Sequence, residues 1–192
     1  MKTIPTGLPE LDNPELHETL GFPVGKRSYV TGTEGVGKSS FVRKTVYTAL
    51  AQGLWVYWAD WAHDRHKPHR RLTFELEPSQ DDLRGAFEEQ YDLFVLDGLE
   101  LVPIPPLRAE LPPNKTVVLT WPLRSDYDLN GELQVHSNFW DGNVGQVVVI
   151  TRLAGIPAVR IYQEGNPINP VYQTKVEDLD YLGRGFHDLI NP

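Results

Sequence analysis

Three short stretches of the chain hold continuous apolar runs: residues 54–59 (LWVYWA), 92–97 (DLFVLD, apolar over 93–96) and 116–121 (TVVLTW, apolar over 117–119). Runs of this length without alternation predict strands buried on both faces, as in a parallel sheet. Residues 27–31 (RSYVT) predict a further short strand that enters a glycine-rich turn. A different period follows it. Phe41, Val42, Thr45, Val46, Ala49 and Leu50 fall on one face of a helix over 39–52, and Gly53 supplies its stop. Ser79, followed by Asp81 and Asp82, predicts a capped helix running to about Gln90. Leu8, Leu11, Leu16 and Leu20 have a helical spacing that Pro14 would interrupt. Late in the chain, QVVVITRL and AVRIYQ flank Ala154-Gly155-Ile156-Pro157, a β-hairpin pattern. The tail predicts a short strand from Val171 and a helix after the capping-box spacing Thr174-Lys175-Val176-Glu177. Strand, helix, strand, helix, strand and hairpin describe an α/β domain with a mostly parallel sheet and an antiparallel edge. Residues 99–113, with five prolines, and the polar stretch 122–143 read as loops.

Length and composition narrow the classes. A chain of 192 residues is expected to form one domain over 1–192, with a lead-in at 1–26 and a tail at 171–192. With 40% hydrophobic residues it has enough apolar surface for a core, which excludes global disorder. The absence of cysteine excludes disulfide frameworks, thiol nucleophiles and Cys-ligated zinc. No apolar run approaches the roughly 20 residues of a membrane helix, and the N-terminus carries no signal-peptide pattern. The expectation is a cytoplasmic protein without a membrane partner. A net charge of -8 argues against a protein that coats nucleic acid over its whole surface, while leaving room for a local basic site.

The candidate chemistry centres on Gly32-Thr33-Glu34-Gly35-Val36-Gly37-Lys38-Ser39. It matches the phosphate-loop pattern at every fixed position, between a predicted strand and a predicted helix. Glycines let successive N–H groups converge on phosphate oxygens, and the helix N-terminus adds its dipole. Lys38 supplies a positive charge for the terminal phosphates, and the Ser39 hydroxyl suits Mg²⁺. The binding set is residues 32–39 with Ser40. Asp97 ends a buried strand, where a second Mg²⁺-ordering carboxylate belongs; alone, it would also suit the turn at Gly98. A guanine-reading Asn-Lys-x-Asp segment is missing, since Asn114-Lys115 precedes its strand and lacks the Asp.

With these motifs in this order the chain resembles the RecA-like P-loop ATPases, in their core-only RadA/RadB/KaiC-like branch. Pro5-Thr6-Gly7-Leu8-Pro9-Glu10-Leu11-Asp12 is similar to the family's TGxxELD opening, and Leu20-Gly21-Phe22-Pro23-Val24-Gly25-Lys26 to its glycine-proline stretch before the first strand. The resemblance spans about residues 4–182. It implies ATP and Mg²⁺ as cofactors, contacted by Lys38, Ser39 and Asp97. It also implies that Thr120 is the polar sensor of the terminal phosphate; its plain alternative is a buried sheet threonine. Two departures stand out. Where the family places a catalytic Glu after the second strand, this chain has Asp60, with Asp64 as the second candidate. The basic pair after the last hairpin strand is missing from 161–167, leaving Arg152 or Arg160 as substitutes. ATP binding is therefore expected more firmly than fast hydrolysis.

In recombinases of this type, two loops hold DNA. The matching stretches, about 98–114 and 122–140, contain Arg108, Arg124 and His136, beside Tyr127 and Phe139. Their other reading is as plain solvated loops, and the second is net acidic. The one basic run, His63 to Arg71, suits phosphate, a neighbour's acidic face or simple solvation, with a metal site weakened by Pro68. Trp55, Trp58 and Trp61 read as core packing ahead of a stacking platform. The leading expectation is Mg-dependent ATP hydrolysis coupled to single-stranded DNA in recombination, repair or annealing, in a self-associating ring or filament. The alternative is a KaiC-like regulatory or assembly ATPase acting on protein partners. A third reading is a phosphotransferase with the basic run as its lid.

Overall fold

A computed structural model describes residues 2–12, 21–62, 66–98, 115–122, 144–153, 156–163 and 166–173. Its strands are β1 (Thr3–Ile4), β2 (Phe22–Pro23), β3 (Arg27–Gly32), β4 (Val56–Asp60), β5 (Leu72–Leu76), β6 (Leu93–Asp97), β7 (Val117–Pro122), β8 (Val144–Leu153), β9 (Ile156–Gln163) and β10 (Asn166–Gln173). Its helices are α1 (Pro9–Asp12), α2 (Lys38–Ala51) and α3 (Gln80–Glu88). Eight strands form one sheet in the order β10-β9-β8-β3-β7-β6-β4-β5. Strands β8, β3, β7, β6, β4 and β5 run parallel, and β9 and β10 extend the sheet as antiparallel hairpins. This is the α/β architecture expected from the apolar runs.

The continuous apolar runs follow from burial on both faces of the sheet. Alternate residues enter two cores. Val30, Val56, Trp58, Leu93, Val95, Val118, Val148 and Ile150 pack with Phe41, Val42, Val46 and Leu50 of α2. Tyr29, Tyr57, Ala59, Phe94, Leu96, Leu119, Val147 and Val149 pack on the other side with Leu83 and Ala86 of α3. Period two within each strand thus serves two apolar layers at once. α3 begins as expected: the Ser79 side chain accepts from the Asp82 N–H while Asp82 accepts from the Ser79 N–H. α2 stops before Gly53, whose φ is 81°.

Several elements differ from expectation. β5 lies in a stretch that the hydrophobic pattern leaves unassigned. It is an edge strand whose Leu72 and Phe74 pack on the α2 core, while Thr73 meets the Tyr91 hydroxyl at 2.8 Å and Glu75 accepts from Tyr57 at 2.6 Å. Two of its five positions, Thr73 and Glu75, are polar because only one face packs on the α2 core. β10 starts at Asn166, ahead of the expected Val171. The helical spacing over 8–20 yields α1, four residues long, among the described residues; 13–20 and the helix expected after Thr174 lie outside them. Trp58 and Trp61 are buried, but Trp55 is 49% exposed, before β4 begins, with the Arg71 guanidinium 5.8 Å from its ring centroid.

The lead-in is fastened to α2. Asp12 accepts from the Thr6 N–H and the Gly7 N–H, both at 2.7 Å, and from the Thr6 hydroxyl at 2.9 Å. Thr45 of α2 donates to the Thr6 carbonyl at 2.8 Å, and Leu8 and Leu11 are buried beside Phe22 and Phe41. Asp12→Ala is expected to cost about 2 kcal/mol in a urea titration, because it strands donors that have lost contact with water. Burial raises the Asp12 pKa above its ordinary 3.8, against the pull of its hydrogen bonds. A raised folded-state value means the native state holds this proton more tightly. The group's contribution is therefore present below 3.8 and is lost as pH rises through the raised value. The Asp12→Ala penalty should accordingly grow as pH falls from 7 towards 4. A penalty that shrinks over that range would reverse the sign argued here.

Candidate functional site

The site lies at the C-terminal tips of the parallel strands, where the sheet order changes direction. The chain leaves β3 for α2 and β4 on one side, while β8 pairs with β3 on the other. Crevices at such switch points are where open α/β sheets bind ligands. The turn from β3 to α2 is residues 33–37. Gly35 and Gly37 have φ of 71° and 109°, left-handed values that strain any side-chain-bearing residue. A Cβ on Gly32 would strike the Ile150 carbonyl and lie 2.7 Å from Val36 Cγ1, so the loop begins against β8. Val36 is buried in the α2 core and anchors the loop from beneath, while Glu34 is exposed. α2 opens on Gly37 with no side-chain cap and no acid in its first turn. Its leading N–H groups thus meet no anionic side chain of their own.

Lys38 is only 8% exposed, and its Nζ donates to the Gly32 and Thr33 carbonyls at 3.2 Å each. The ammonium is thereby held over the loop it would share with a phosphate. Ser39 donates to Asp97 Oδ1 at 3.1 Å, and Thr120 donates to the same oxygen at 3.0 Å. The Thr120 hydroxyl in turn accepts the Gly98 N–H at 2.8 Å. Asp97 and Thr120 are both fully or almost fully buried. Asp60 ends β4 directly opposite Asp97 in the strand register. It is fully buried, and its Oδ1 accepts the Ala62 N–H at 2.7 Å. The Trp61 N–H donates to the Asp97 carbonyl at 2.8 Å, which ties the two strand ends together.

The fold thus gathers Lys38, Ser39, Asp97, Thr120 and Asp60 at one edge of the sheet. Asp64, Arg108, Arg124 and His136 lie outside the described residues, as does His63. Arg160 sits on β9 opposite Val149, and Arg152 pairs by its backbone with Pro157. The basic run is divided. His66 stacks on Phe74 with ring centroids 3.5 Å apart. Desolvation lowers its pKa, and the Asp60 carboxylate partly offsets this. Arg71 donates to the Gly53 carbonyl, and its own carbonyl accepts from the Val56 N–H at the far end of β4. That places Arg71 away from the phosphate loop and removes it from any lid. His69 Nδ1 accepts the Arg71 N–H, and no cluster with metal-ligand chemistry occurs among the described residues.

One residue that the sequence offers only as part of a turn also shapes the site. Gly98 has φ of 80°, and a Cβ there would lie 2.7 Å from the Ala62 nitrogen. Its signal was a glycine placed directly after a strand-final carboxylate. The donor set fits a hard cation: a hydroxyl and a carboxylate, both oxygen, with positions left for water and phosphate. The loop amides and Lys38 fit phosphate.

No family model matches the sequence, and curated proteins give no match. Among solved structures, a KaiC-like protein from the hyperthermophilic archaeon Pyrococcus horikoshii OT3 superposes with a TM-score of 0.63. The match covers 92% of this chain and 96% of that one, at 16% identity. The chain has a RecA-like fold. In this RecA-like sheet, β7 lies between β3 and β6, so Thr120 stands between the phosphate loop and Asp97. No helix among the described residues is long and apolar enough to cross a membrane.

Proposed function

We propose that this chain binds Mg²⁺–ATP on the 32–39 loop and hydrolyses it slowly. The observation that carries the reading is the meeting of the Ser39 hydroxyl and the Asp97 carboxylate at 3.1 Å, beside the buried Lys38. Ser39 spends its hydrogen on Asp97, which leaves its lone pairs for a cation. Mg²⁺ would be held by Ser39 and Asp97 and would supply charge neutralisation at the phosphates. Lys38 exchanges its two loop carbonyls for phosphate oxygens. Asp60, opposite Asp97, is the base that orients water. Its short side chain and its bond to Ala62 restrict its reach, which makes turnover slow. Titration of fluorescent ATP with and without Mg²⁺ tests the binding. No saturable binding in either condition would sink it.

We further propose that hydrolysis is coupled to single-stranded DNA, held by Arg108, Arg124 and His136, in a self-associated ring or filament. The support is the resemblance of the opening and the loop order to recombinases. Labelled single-stranded DNA titrated at low salt, with and without ATP, should bind more tightly with ATP. Light scattering should show a mass above that of one chain. A second reading, a KaiC-like ATPase acting on protein partners, is favoured by three features. They are the KaiC-like structural neighbour, the net charge of -8 and the missing basic pair in 161–167. Absence of DNA binding in both nucleotide states, with ATP binding intact, would select it.

A further inference from the structure

The Thr120 hydroxyl has both of its directions engaged. It gives its hydrogen to Asp97 Oδ1 at 3.0 Å and accepts the Gly98 N–H at 2.8 Å. The second contact leads onward. Gly98, at φ of 80°, leaves no room for a Cβ because the Ala62 nitrogen would lie 2.7 Å from it and the Trp61 carbonyl carbon 3.0 Å. The backbone after β6 is therefore pressed on the backbone after β4. Ala62 is also the residue whose N–H holds Asp60 Oδ1 at 2.7 Å. One buried hydroxyl thus stands at the junction of both strand-final carboxylates.

We propose that Thr120 is a positioning residue for Asp97 and Asp60 together, fixing the first through its oxygen and the second through the Gly98–Ala62 contact. The part that concerns Mg²⁺ rests on the nucleotide reading above. The part that concerns the backbone does not. A hydroxyl beside a ligating carboxylate restricts that carboxylate to one orientation, and loss of such a partner costs about tenfold to a hundredfold in metal affinity. Asp97 receives the Ser39 hydroxyl on the same oxygen, so Ser39 and Thr120 together set the direction of Oδ1 and removal of Thr120 loosens it.

The test compares Thr120→Val, which keeps the shape and removes the hydroxyl, with Thr120→Ser, which keeps the hydroxyl. Amide hydrogen exchange is first read on the nucleotide-free protein. Thr120→Val should speed exchange at Gly98 and Ala62 about tenfold, while Thr120→Ser leaves both near wild type. Mg²⁺ is then titrated against fluorescent ATP. Thr120→Val should raise the half-saturating Mg²⁺ about tenfold, and Thr120→Ser should restore it. Should Thr120→Val not fold, Thr120→Ala takes the same two measurements. Unchanged exchange at both amides in the variant lacking the hydroxyl would overturn the proposal, as would an equal shift in Thr120→Ser. A wild-type protein that binds no ATP would overturn the nucleotide reading and the Mg²⁺ half, while the exchange result still decides the backbone half.

Discussion

Lys38→Ala is expected to weaken ATP binding more than a hundredfold while leaving the fold in place. The ammonium is buried at the mouth of the 32–39 loop, where Nζ reaches two carbonyls at 3.2 Å. Those bonds are replaceable: a phosphate oxygen carries full charge and is the better acceptor. A hydrogen bond to a charged group contributes about 1.5–3 kcal/mol, and Lys38 would make more than one to the terminal phosphates. The loss is about 3 kcal/mol or more, hence the hundredfold. Isothermal titration with ATP and Mg²⁺ measures it, and a urea titration of both proteins checks the fold. Retained affinity in Lys38→Ala would remove the basis for the ATP reading and for both of its couplings, to DNA or to protein.

Asp60→Asn should lower the ATP hydrolysis rate about a hundredfold or more and leave ATP affinity within about threefold. The amide oxygen can still accept the Ala62 N–H, so the local turn is kept. What disappears is the negative charge beside Asp97, in register with it across β4 and β6. A carboxylate in that place orients and activates water, whereas an amide can only orient it. Steady-state phosphate release gives the rate, and fluorescent ATP titration gives the affinity. A full rate in Asp60→Asn would transfer the role of base to Asp64. A matched loss of rate and affinity would instead place Asp60 in binding.

How far the candidate site was legible differs from residue to residue. Lys38 and Ser39 were plain from spacing alone, because phosphate contact by a loop and a helix N-terminus needs consecutive residues. Asp97 was legible as a candidate because it ends a buried strand in a chain that already carries the phosphate-loop pattern; alone, it also suited a turn at Gly98. Asp60 was one of two candidates, and the register with Asp97 is what brings it to the same edge. β5 escaped notice because an edge strand buries one face and mixes polar with apolar residues. Trp55 read as core, yet it falls before β4 starts, outside the pleat that buries Trp58.

By itself the sequence determined the α/β class, the phosphate loop with its helix, and the strands that cross the core. Those features arise from local rules: hydrophobic period, glycine placement and capping are all written in neighbouring residues. The tertiary structure alone decided that β7 lies between β3 and β6, and that Thr120 meets Asp97 across 23 positions of chain. It likewise decided that Gly98 presses on Ala62 and that Arg71 is turned away from the site. These are contacts between segments distant in the chain. Strand order sets them, and strand order is chosen by which whole set of faces buries best, a quantity that no single stretch of residues contains.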